Sequence, residues 1–199
     1  MLNKKISIGV VFGGASGEHN VSINSAKTVI KGLTIGNNKN SFNPIPIYID
    51  VEGRWWDSKV AIKALNEGKQ LKDNDLPLQK NIPKGFKSLP SCSDEVDIWY
   101  PVLHGPNGED GSIQGLFKLI GKPFVGSNVL GSSTGMDKLA MKAAFSAAGL
   151  PQVRYESAET RQIKSINLLE ILLKRLEERI GYPCFIKPAN LGSSVGISK

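Results

Sequence analysis

The chain has 199 residues, of which 40% are apolar, 22% charged and 7% aromatic. This composition is typical of a soluble globular protein and excludes a disordered or fibrous chain. Lys and Arg outnumber Asp and Glu by 25 to 18, which gives a formal net charge of +7. No run of five like charges and no motif of interleaved aromatic and basic residues accompanies this excess. We therefore expect no nucleic-acid partner.

The two cysteines, Cys92 and Cys184, are too few for a disulfide framework and favour a reducing compartment. The two histidines, His19 and His104, lack the Cys and His neighbours at ligand spacing that a zinc site requires. The apolar stretch near the N-terminus is too short for a signal peptide, and no stretch reaches the roughly 18 apolar residues of a membrane span. We expect a cytoplasmic protein with no membrane partner.

The first 137 residues follow an α/β pattern. A continuous apolar run at 6–12 predicts a parallel strand that is buried on both faces. Glycines at 13–17 and an amphipathic pattern up to residue 33 predict a turn and a helix. The other predicted elements are a strand near an edge at 45–49, a hairpin tip at 51–56, a strand at 96–103, a helix at 112–120 and a short strand at 122–126. Residues 58–92 are polar and weakly periodic, and they give no prediction.

A change in composition near Met136 marks a second domain. Asp137 is the predicted N-cap of a helix at 138–148, and one apolar stripe predicts another helix from 166 to 180. A strand is predicted at 182–186, with the start of another at 197–199. Because no cap or closing helix follows, we expect the front part of a longer protein. Its domains would be 1–137 and an incomplete 138–199.

The first motif with chemical content is VFGGASGEHNVS, residues 11–22. Glycines after a parallel strand let a ligand approach the backbone, and helix N-termini favour anions. The spacing matches neither a Walker loop nor the dinucleotide fingerprint. Glu18 has two interpretations: a carboxylate that complements the helix dipole, or a group that binds an ammonium group.

The second motif is VLHGPNGEDGSIQG, residues 102–115. His104 is predicted at the carboxyl end of a strand, where open α/β sheets bind ligands. The alternative is an ordinary turn histidine. Glu109 and Asp110 stand at the start of a predicted helix, where acidic side chains complement the helix dipole. A metal site there is the less favoured interpretation.

The third motif is YPCFIKPANLGSSVGISK, residues 182–199. Lys187 ends an apolar strand, so we expect its ammonium group to be partly desolvated and to need an anionic partner. The turn at 192–196 offers backbone N–H groups and two hydroxyls. A lysine beside such a turn is one way to bind phosphate, and an ordinary hairpin turn is the alternative.

These three motifs, with MDKLAMK at 136–142 between the second and the third, resemble the D-alanine–D-alanine ligase family of ATP-grasp enzymes. The resemblance covers the chain except for about 50–95 and reaches only the front of the family's length. It implies an α/β fold: a parallel-sheet, Rossmann-like (pre-ATP-grasp) N-terminal domain, followed by the first part of an ATP-grasp α+β domain. It also implies the ATP-dependent ligation of two D-alanines through an acyl phosphate, for peptidoglycan and cell-wall synthesis.

The resemblance implies roles for single residues. Glu18 would hold the amino group of the first D-alanine, and His104 would face its carboxylate. Ser193 would be connected to Glu18 by hydrogen bonds, which makes these two the predicted catalytic residues. Asn20 stands where many relatives carry an acid, which weakens the outer part of this network.

The nucleotide contacts are implied in the same way. Lys138 and Lys187 would contact the ATP phosphates, and the loop residues Ser194, Val195 and Gly196 would cover them. Mg²⁺ or Mn²⁺ would be bound by residues beyond Lys199, so the chain alone should lack full activity. The implied partners are D-alanine and ATP, and a homodimer is compatible with the resemblance.

Three alternatives stay open at this point. One is another ATP-grasp carboxylate–amine ligase, such as a D-alanine–D-lactate enzyme. The second is a nucleotide-binding dehydrogenase, for which Asp50 would be the acidic residue that closes the second strand. The third is a non-catalytic module whose basic surface binds anions or acidic polymers.

Overall fold

The computed structural model describes residues 4–77 and 83–199. The chain divides into two compact units, Met1–Ser133 and Thr134–Lys199. The domain boundary predicted at residue 137 lies a few residues beyond this division. Within the described residues, no helix is both long and apolar enough to span a bilayer.

The first unit is built around a sheet with helices on both faces. Its strands in the described residues are β1 (Ile6–Gly13), β2 (Phe42–Ile49), β3 (Trp55–Trp56) and β4 (Ile98–Pro101). Its helices are α1 (His19–Thr34), α2 (Asn38–Ser41), α3 (Ser58–Glu67) and α4 (Ser112–Ile120), and α5 (Val129–Met136) spans the division between the units. The strand order is β3-β2-β1-β4, and β1 is parallel to both β2 and β4. The carboxyl ends of these three strands therefore share one edge of the sheet, and the predicted α/β class is confirmed.

The core lies on both faces of β1, because successive side chains of a strand point to opposite faces. Val10 and Phe12 pack with Ile23 of α1 in one cluster, which also includes residues of α3. On the other face, Val11 belongs to a cluster in which Trp99 of β4 stacks on Phe117 of α4, with ring centroids 4.8 Å apart.

The strand predicted at 45–49 is longer than expected. β2 begins at Phe42, although Pro44 and Pro46 cannot donate backbone hydrogen bonds. β3 pairs only with Tyr48 and Ile49, so within the described residues the first part of β2 has β1 as its one partner strand. The edge position predicted from the prolines is thus confirmed for that part, and the hairpin tip is confirmed by the antiparallel β2–β3 pair.

Helix α3 lies in the stretch that gave no prediction. Asp57 caps it by accepting hydrogen bonds from Lys59 N (3.1 Å) and Val60 N (3.3 Å). Gly68 ends it in the left-handed conformation, at φ +70°. The N-cap aspartate and the terminal glycine were the sequence signals available for this helix. Residues 78–82 of this stretch lie outside the described residues.

Four predicted strands are shorter in the structure or reduced to single bridges. The strand predicted at 96–103 is reduced to β4, Ile98–Pro101. The one at 122–126 is a single bridge between Phe124 and Trp99, and those at 182–186 and 197–199 meet in one antiparallel bridge between Ile186 and Ser198. The runs that form single bridges lie next to proline or glycine, which disfavour a continuous ladder.

The second unit contains α6 (Lys138–Ala147), α7 (Thr160–Lys164) and α8 (Ile166–Arg179) in its described residues. Asp137 caps α6 as predicted, accepting from the amides of Leu139 and Ala140 at 2.9 Å each. The two predicted helices are confirmed to within one residue at each end. The short α7 was not predicted.

Candidate functional site

The two glycine-rich motifs of the first unit meet where β1 and β4 end. Glu18 N lies 3.2 Å from Ser16 Oγ, and this hydroxyl donates to the His104 carbonyl oxygen at 2.9 Å. A Cβ atom at Gly105 would lie 3.3 Å from Glu18 Oε2. The Glu18 carboxylate therefore lies against the turn that follows His104, at the sheet edge where parallel-sheet proteins bind ligands.

Glu18 occupies the N-cap position of α1. Its side chain makes no capping hydrogen bond to the helix, although the position still places a half-buried carboxylate near the positive end of the helix dipole. The position of Glu18 is therefore compatible with a carboxylate that complements the helix dipole. The same carboxylate also lies next to the turn at Gly105.

His104 is half-buried, and its Nε2 lies 3.3 Å from Ser25 Oγ of α1. The next residue, Gly105, donates its backbone N–H to Glu109 Oε2 at 2.7 Å. The structure therefore brings His104 and Glu18 to the same strand-end region of the first unit.

Ser22 connects the ends of two strands and was missed by sequence reasoning. Its hydroxyl accepts a hydrogen bond from Gly13 N at 2.8 Å and donates one to the Val102 carbonyl. Ser22 is fully buried beside Ile23 and Ala26. A polar residue on the apolar face of a helix was the available signal, because a buried hydroxyl needs partners.

His19 was missed in the same way. It is 4% exposed, with Nδ1 at 2.7 Å from the Gly14 carbonyl oxygen and Nε2 at 2.9 Å from the Tyr48 hydroxyl. The Gly14 carbonyl is an acceptor only, so Nδ1 carries a proton, and Nε2 of the neutral ring accepts from Tyr48. The Tyr48 oxygen in turn accepts from Leu71 N at 3.4 Å.

Burial governs the titration of this pair. It lowers the pKa of His19 below 6.5, against the smaller opposing effects of the Gly14 carbonyl and of the Asp50 charge. Burial also raises the pKa of Tyr48 to about 12. Near neutral pH both side chains are therefore uncharged.

Asp50 follows the end of β2, and its carboxylate accepts hydrogen bonds from the turn that comes next. Its Oδ1 accepts from Glu52 N (2.9 Å) and Arg54 N (3.0 Å), and its Oδ2 accepts from Trp56 Nε1 (2.9 Å). The carboxylate thus holds the β2–β3 turn together. This structural role weighs against the dehydrogenase alternative, in which Asp50 was the acidic residue that closes the second strand.

A cavity of about 320 Å³ lies next to Asp50. Its lining consists of Asp50, Val51, Glu52, Gln70, Leu71, Lys72, Asp73 and Leu76. Asn20, the residue noted as a departure from the family, accepts a hydrogen bond from Gln70 N at 2.8 Å. Asn20 and Tyr48 therefore hold the chain at 70–71 beside this cavity.

Glu109 and Asp110 accept hydrogen bonds from backbone amides of their own loop. Asp110 accepts from Asn107 N at 2.8 Å and from Ser112 N at 3.0 Å. Burial raises the pKa of Asp110, but these hydrogen bonds outweigh it and hold the pKa below its usual value. Among the described residues no three His, Cys, Asp or Glu side chains converge, so none of them is assigned as a magnesium or manganese ligand.

In the second unit, Lys138 lies beside the start of the Gly/Ser loop. Its ammonium group donates to the carbonyl oxygens of Leu191 and, at 3.4 Å, Ala189. Its backbone N–H also donates to Ala189 O, at 3.0 Å. Lys187, expected to be partly desolvated, is exposed, because the residues before it form a single bridge rather than a buried strand.

The loop itself makes a tight turn. Val195 N donates to Gly192 O at 3.0 Å, across Ser193 and Ser194, whose φ angles are +48° and +61°. Positive φ at both central residues is the pattern of a type I′ hairpin turn, which is usually made by Asn and Gly. The segment therefore makes a tight turn that holds two serines in a strained conformation, and phosphate binding by it stays a prediction.

Models of two protein families match the chain. The D-ala D-ala ligase N-terminus matches residues 7–127, and the D-ala D-ala ligase C-terminus matches residues 144–199. A D-alanine–D-alanine ligase of Synechococcus sp. (strain CC9311) is 57% identical over 199 residues, which are 100% of this chain and 56% of that protein. One from Synechococcus sp. (strain WH7803) is 59% identical over 194 residues, 98% of this chain and 55% of that protein. The chain thus spans about half the length of the curated relatives it matches.

Solved structures agree with these matches. The VanG D-Ala:D-Ser ligase from Enterococcus faecalis aligns with a TM-score of 0.68 and 34% identity, over 98% of this chain and 55% of that one. The D-alanine–D-alanine ligase from Coxiella burnetii aligns with a TM-score of 0.69 and 27% identity, over 97% of this chain and 56% of that one. The resemblance predicted from the motifs is confirmed: the chain belongs to the D-alanine–D-alanine ligase family.

Proposed function

We propose that the protein takes part in the ATP-dependent joining of two D-alanine molecules, which supplies the D-alanyl-D-alanine of peptidoglycan. The observation that carries the proposal is the position of the Glu18 carboxylate against the turn after His104, in a chain of this ligase family. The proposed location is the cytoplasm, where ATP is available. A homodimer stays a prediction.

The strand-end region of the first unit has the groups that a first D-alanine needs. The ammonium group of this D-alanine would bind the Glu18 carboxylate, and the carboxylate of the D-alanine would face the imidazole of His104. Binding the amino acid at both ends orients the carboxylate that must react. Because Gly105 has no side chain, the amino acid can approach Glu18 closely.

The second unit would hold the nucleotide. ATP, when bound, supplies the phosphoryl group that converts a carboxylate, a poor electrophile, into an acyl phosphate. Lys138 and Lys187 would face the phosphates, where cationic groups stabilise the charge on the transferred group. The turn at 192–196 would cover them and exclude water, because an acyl phosphate is easily hydrolysed. The predicted connection from Ser193 to Glu18 joins residues of different units and stays a prediction.

A second candidate differs only in the second substrate. The VanG protein from Enterococcus faecalis is a D-Ala:D-Ser ligase, and it is 34% identical to our chain. A D-alanine–D-lactate activity is a further variant of the same reaction. Competition between D-alanine, D-serine and D-lactate as second substrates, measured by product analysis, distinguishes the three.

The test uses the chain joined to the part of the Synechococcus CC9311 relative that lies beyond the matched region. D-alanine-dependent ADP release is measured for this fusion and for the 199-residue chain. We expect turnover by the fusion and none at a comparable rate by the chain alone. A fusion that folds and binds ATP but joins no D-alanine would refute the proposal.

Two matched pairs of variants assign the roles within the fusion. Glu18→Gln should raise the KM for the first D-alanine about tenfold or more, whereas Glu67→Gln, an exposed residue at the end of α3, should not. Lys187→Ala should weaken ATP binding more than Lys59→Ala, which is also exposed. Equal effects within either pair would contradict the assigned role.

A further inference from the structure

His19 is buried directly after Glu18 in the chain, and the proposed chemistry does not use it. Two hydrogen bonds hold its ring: Nδ1 to the Gly14 carbonyl at 2.7 Å and Nε2 to the Tyr48 hydroxyl at 2.9 Å. The ring also meets Tyr48 edge-on, with centroids 5.5 Å apart. The titratable and charged groups around it are Tyr48 and Asp50 at the end of β2, and Glu18 as its neighbour in sequence.

The turn that His19 contacts is shaped by close packing. Gly13 has φ +94°, and a Cβ there would lie 2.1 Å from Ile49 O and 3.1 Å from His19 Cε1. Gly14 follows with φ +95° and donates its N–H to Ile49 O at 2.8 Å. Gly13 is required by the lack of space and Gly14 by its positive φ, and neither brings a side chain of its own to the turn.

His19 adds a side-chain hydrogen bond to this turn, beside the bonds from Gly13 N to Ser22 Oγ and from Gly14 N to Ile49 O. The Gly14 carbonyl accepts from His19 Nδ1 and from Ser16 N, the latter at 3.0 Å. Ser16 Oγ lies 3.2 Å from Glu18 N, so the hydrogen bonds run from His19 through the turn to Glu18. Loss of the Nδ1 bond would leave the partly buried Gly14 carbonyl with the Ser16 N–H as its donor and would loosen the glycine turn on the side of α1.

We propose that His19 is a positioning residue: its Nδ1–H fixes the Gly14 carbonyl, and through it the turn that places the Glu18 carboxylate against Gly105. The inference rests on the proposed function, in which Glu18 binds the ammonium group of the first D-alanine. The Gly14 carbonyl, which can only accept, sets the tautomer of the ring, and the Nε2 bond to Tyr48 contributes to stability without acting on the turn.

Two substitutions test the hydrogen bonds of the two ring nitrogens separately. In His19→Asn the amide nitrogen occupies the place of Nδ1 and can still donate to Gly14, but nothing reaches Tyr48. In His19→Gln the amide occupies the place of Nε2 and reaches Tyr48, but not Gly14. Tyr48→Phe removes the hydroxyl and leaves the Nδ1 bond in place, so it is the matched control.

The variants are measured in the fusion with the Synechococcus sequence. We expect His19→Gln to raise the KM for the first D-alanine about tenfold, while the KM for ATP changes less than about twofold. His19→Asn and Tyr48→Phe should keep the D-alanine KM within about twofold of the unaltered protein. Equal impairment in His19→Asn and His19→Gln, or impairment in Tyr48→Phe, would overturn the inference.

Two further measurements complete the test. Long-range ¹H–¹⁵N NMR of the unaltered 199-residue chain should find the proton of His19 on Nδ1; a proton on Nε2 overturns the inference even if a variant fails to fold. Glu18→Gln is measured alongside. If Glu18→Gln raises the D-alanine KM and His19→Gln does not, only the role of His19 is refuted, whereas an unchanged KM in Glu18→Gln refutes the proposed function and this inference with it.

Discussion

Asp50 shows what keeps a carboxylate buried in this fold. It is 2% exposed, and both of its oxygens accept hydrogen bonds from the turn that follows it. The Arg54 guanidinium lies 3.7 Å from Oδ2 and adds an opposite charge. Hydrogen bonds to both oxygens explain why a charge is tolerated there, since an unpaired buried charge is costly.

Asp50→Asn should therefore destabilise the protein by about 2–4 kcal/mol. The amide must point one N–H group at a backbone amide or at Trp56 Nε1, which are themselves donors. Urea unfolding followed by tryptophan fluorescence measures the loss. Asp57→Asn is the control, because Asn caps a helix about as well as Asp, and its free energy of unfolding should stay nearly unchanged.

His19 makes the stability depend on pH. Burial lowers the pKa of its imidazole in the folded state below 6.5, so the unfolded chain binds the proton more tightly. The contribution of His19 to the free energy of unfolding should be constant above about pH 6.5. It should decrease as the pH falls from 6.5 towards the lowered pKa of the folded state. Urea unfolding at a series of pH values checks this. His19→Asn should flatten the dependence over this range, and an unchanged slope in that variant would contradict the assignment.

At the scale of the elements, Gly9 of β1 lies where the strand packs closely against Trp99 of β4 and Val96. A Cβ at Gly9 would lie 2.9 Å from Trp99 Cε3 and from both methyl groups of Val96. Trp99 is fully buried and Val96 is 1% exposed, so neither can move aside easily. The close approach of β1 to the stacked Trp99 and Phe117 rings thus depends on the missing side chain.

Gly9→Ala should cost about 1–3 kcal/mol through overpacking. Gly32→Ala, in α1 with nothing within 4 Å of its Cβ position, should instead stabilise the protein by roughly 0.5–1 kcal/mol, because alanine favours a helix. Thermal and urea unfolding of both variants provide the comparison. Effects of the same sign would contradict the packing described for β1.

The elements also show which sequence signals were reliable. Long amphipathic patterns with a cap, such as α6 behind Asp137, were predicted to within a residue. α3 has a cap as good as that of α6, but it lies in a long polar stretch, and that stretch gave no prediction. The short apolar runs near 124 and 186 form bridges, because a strand is stable only when a neighbouring strand pairs with it over several residues.

At the scale of the whole molecule, the sheet and both apolar clusters lie within residues 1–133. The three tryptophans also lie there, so their fluorescence reports on the first unit. A chain shortened to residues 1–133 should unfold cooperatively, with a urea midpoint within about 15% of that of the 199-residue chain. A broad transition or a large shift in the midpoint would show that the first unit depends on residues beyond 133.

The amino-acid sequence alone was enough for the family, the α/β class and the residues of the three motifs, because glycine-rich turns after apolar strands and lysines next to Gly/Ser loops are local patterns. The tertiary structure alone decided what lies beside Glu18. Residues 16, 18, 104 and 105 meet there only because β1 and β4 are neighbours in the sheet, although 80 or more residues separate them in the chain. The partners of His19, Ser22 and Asp50 were likewise set by the pairing of the strands, since a buried polar group is defined by the neighbours that satisfy it.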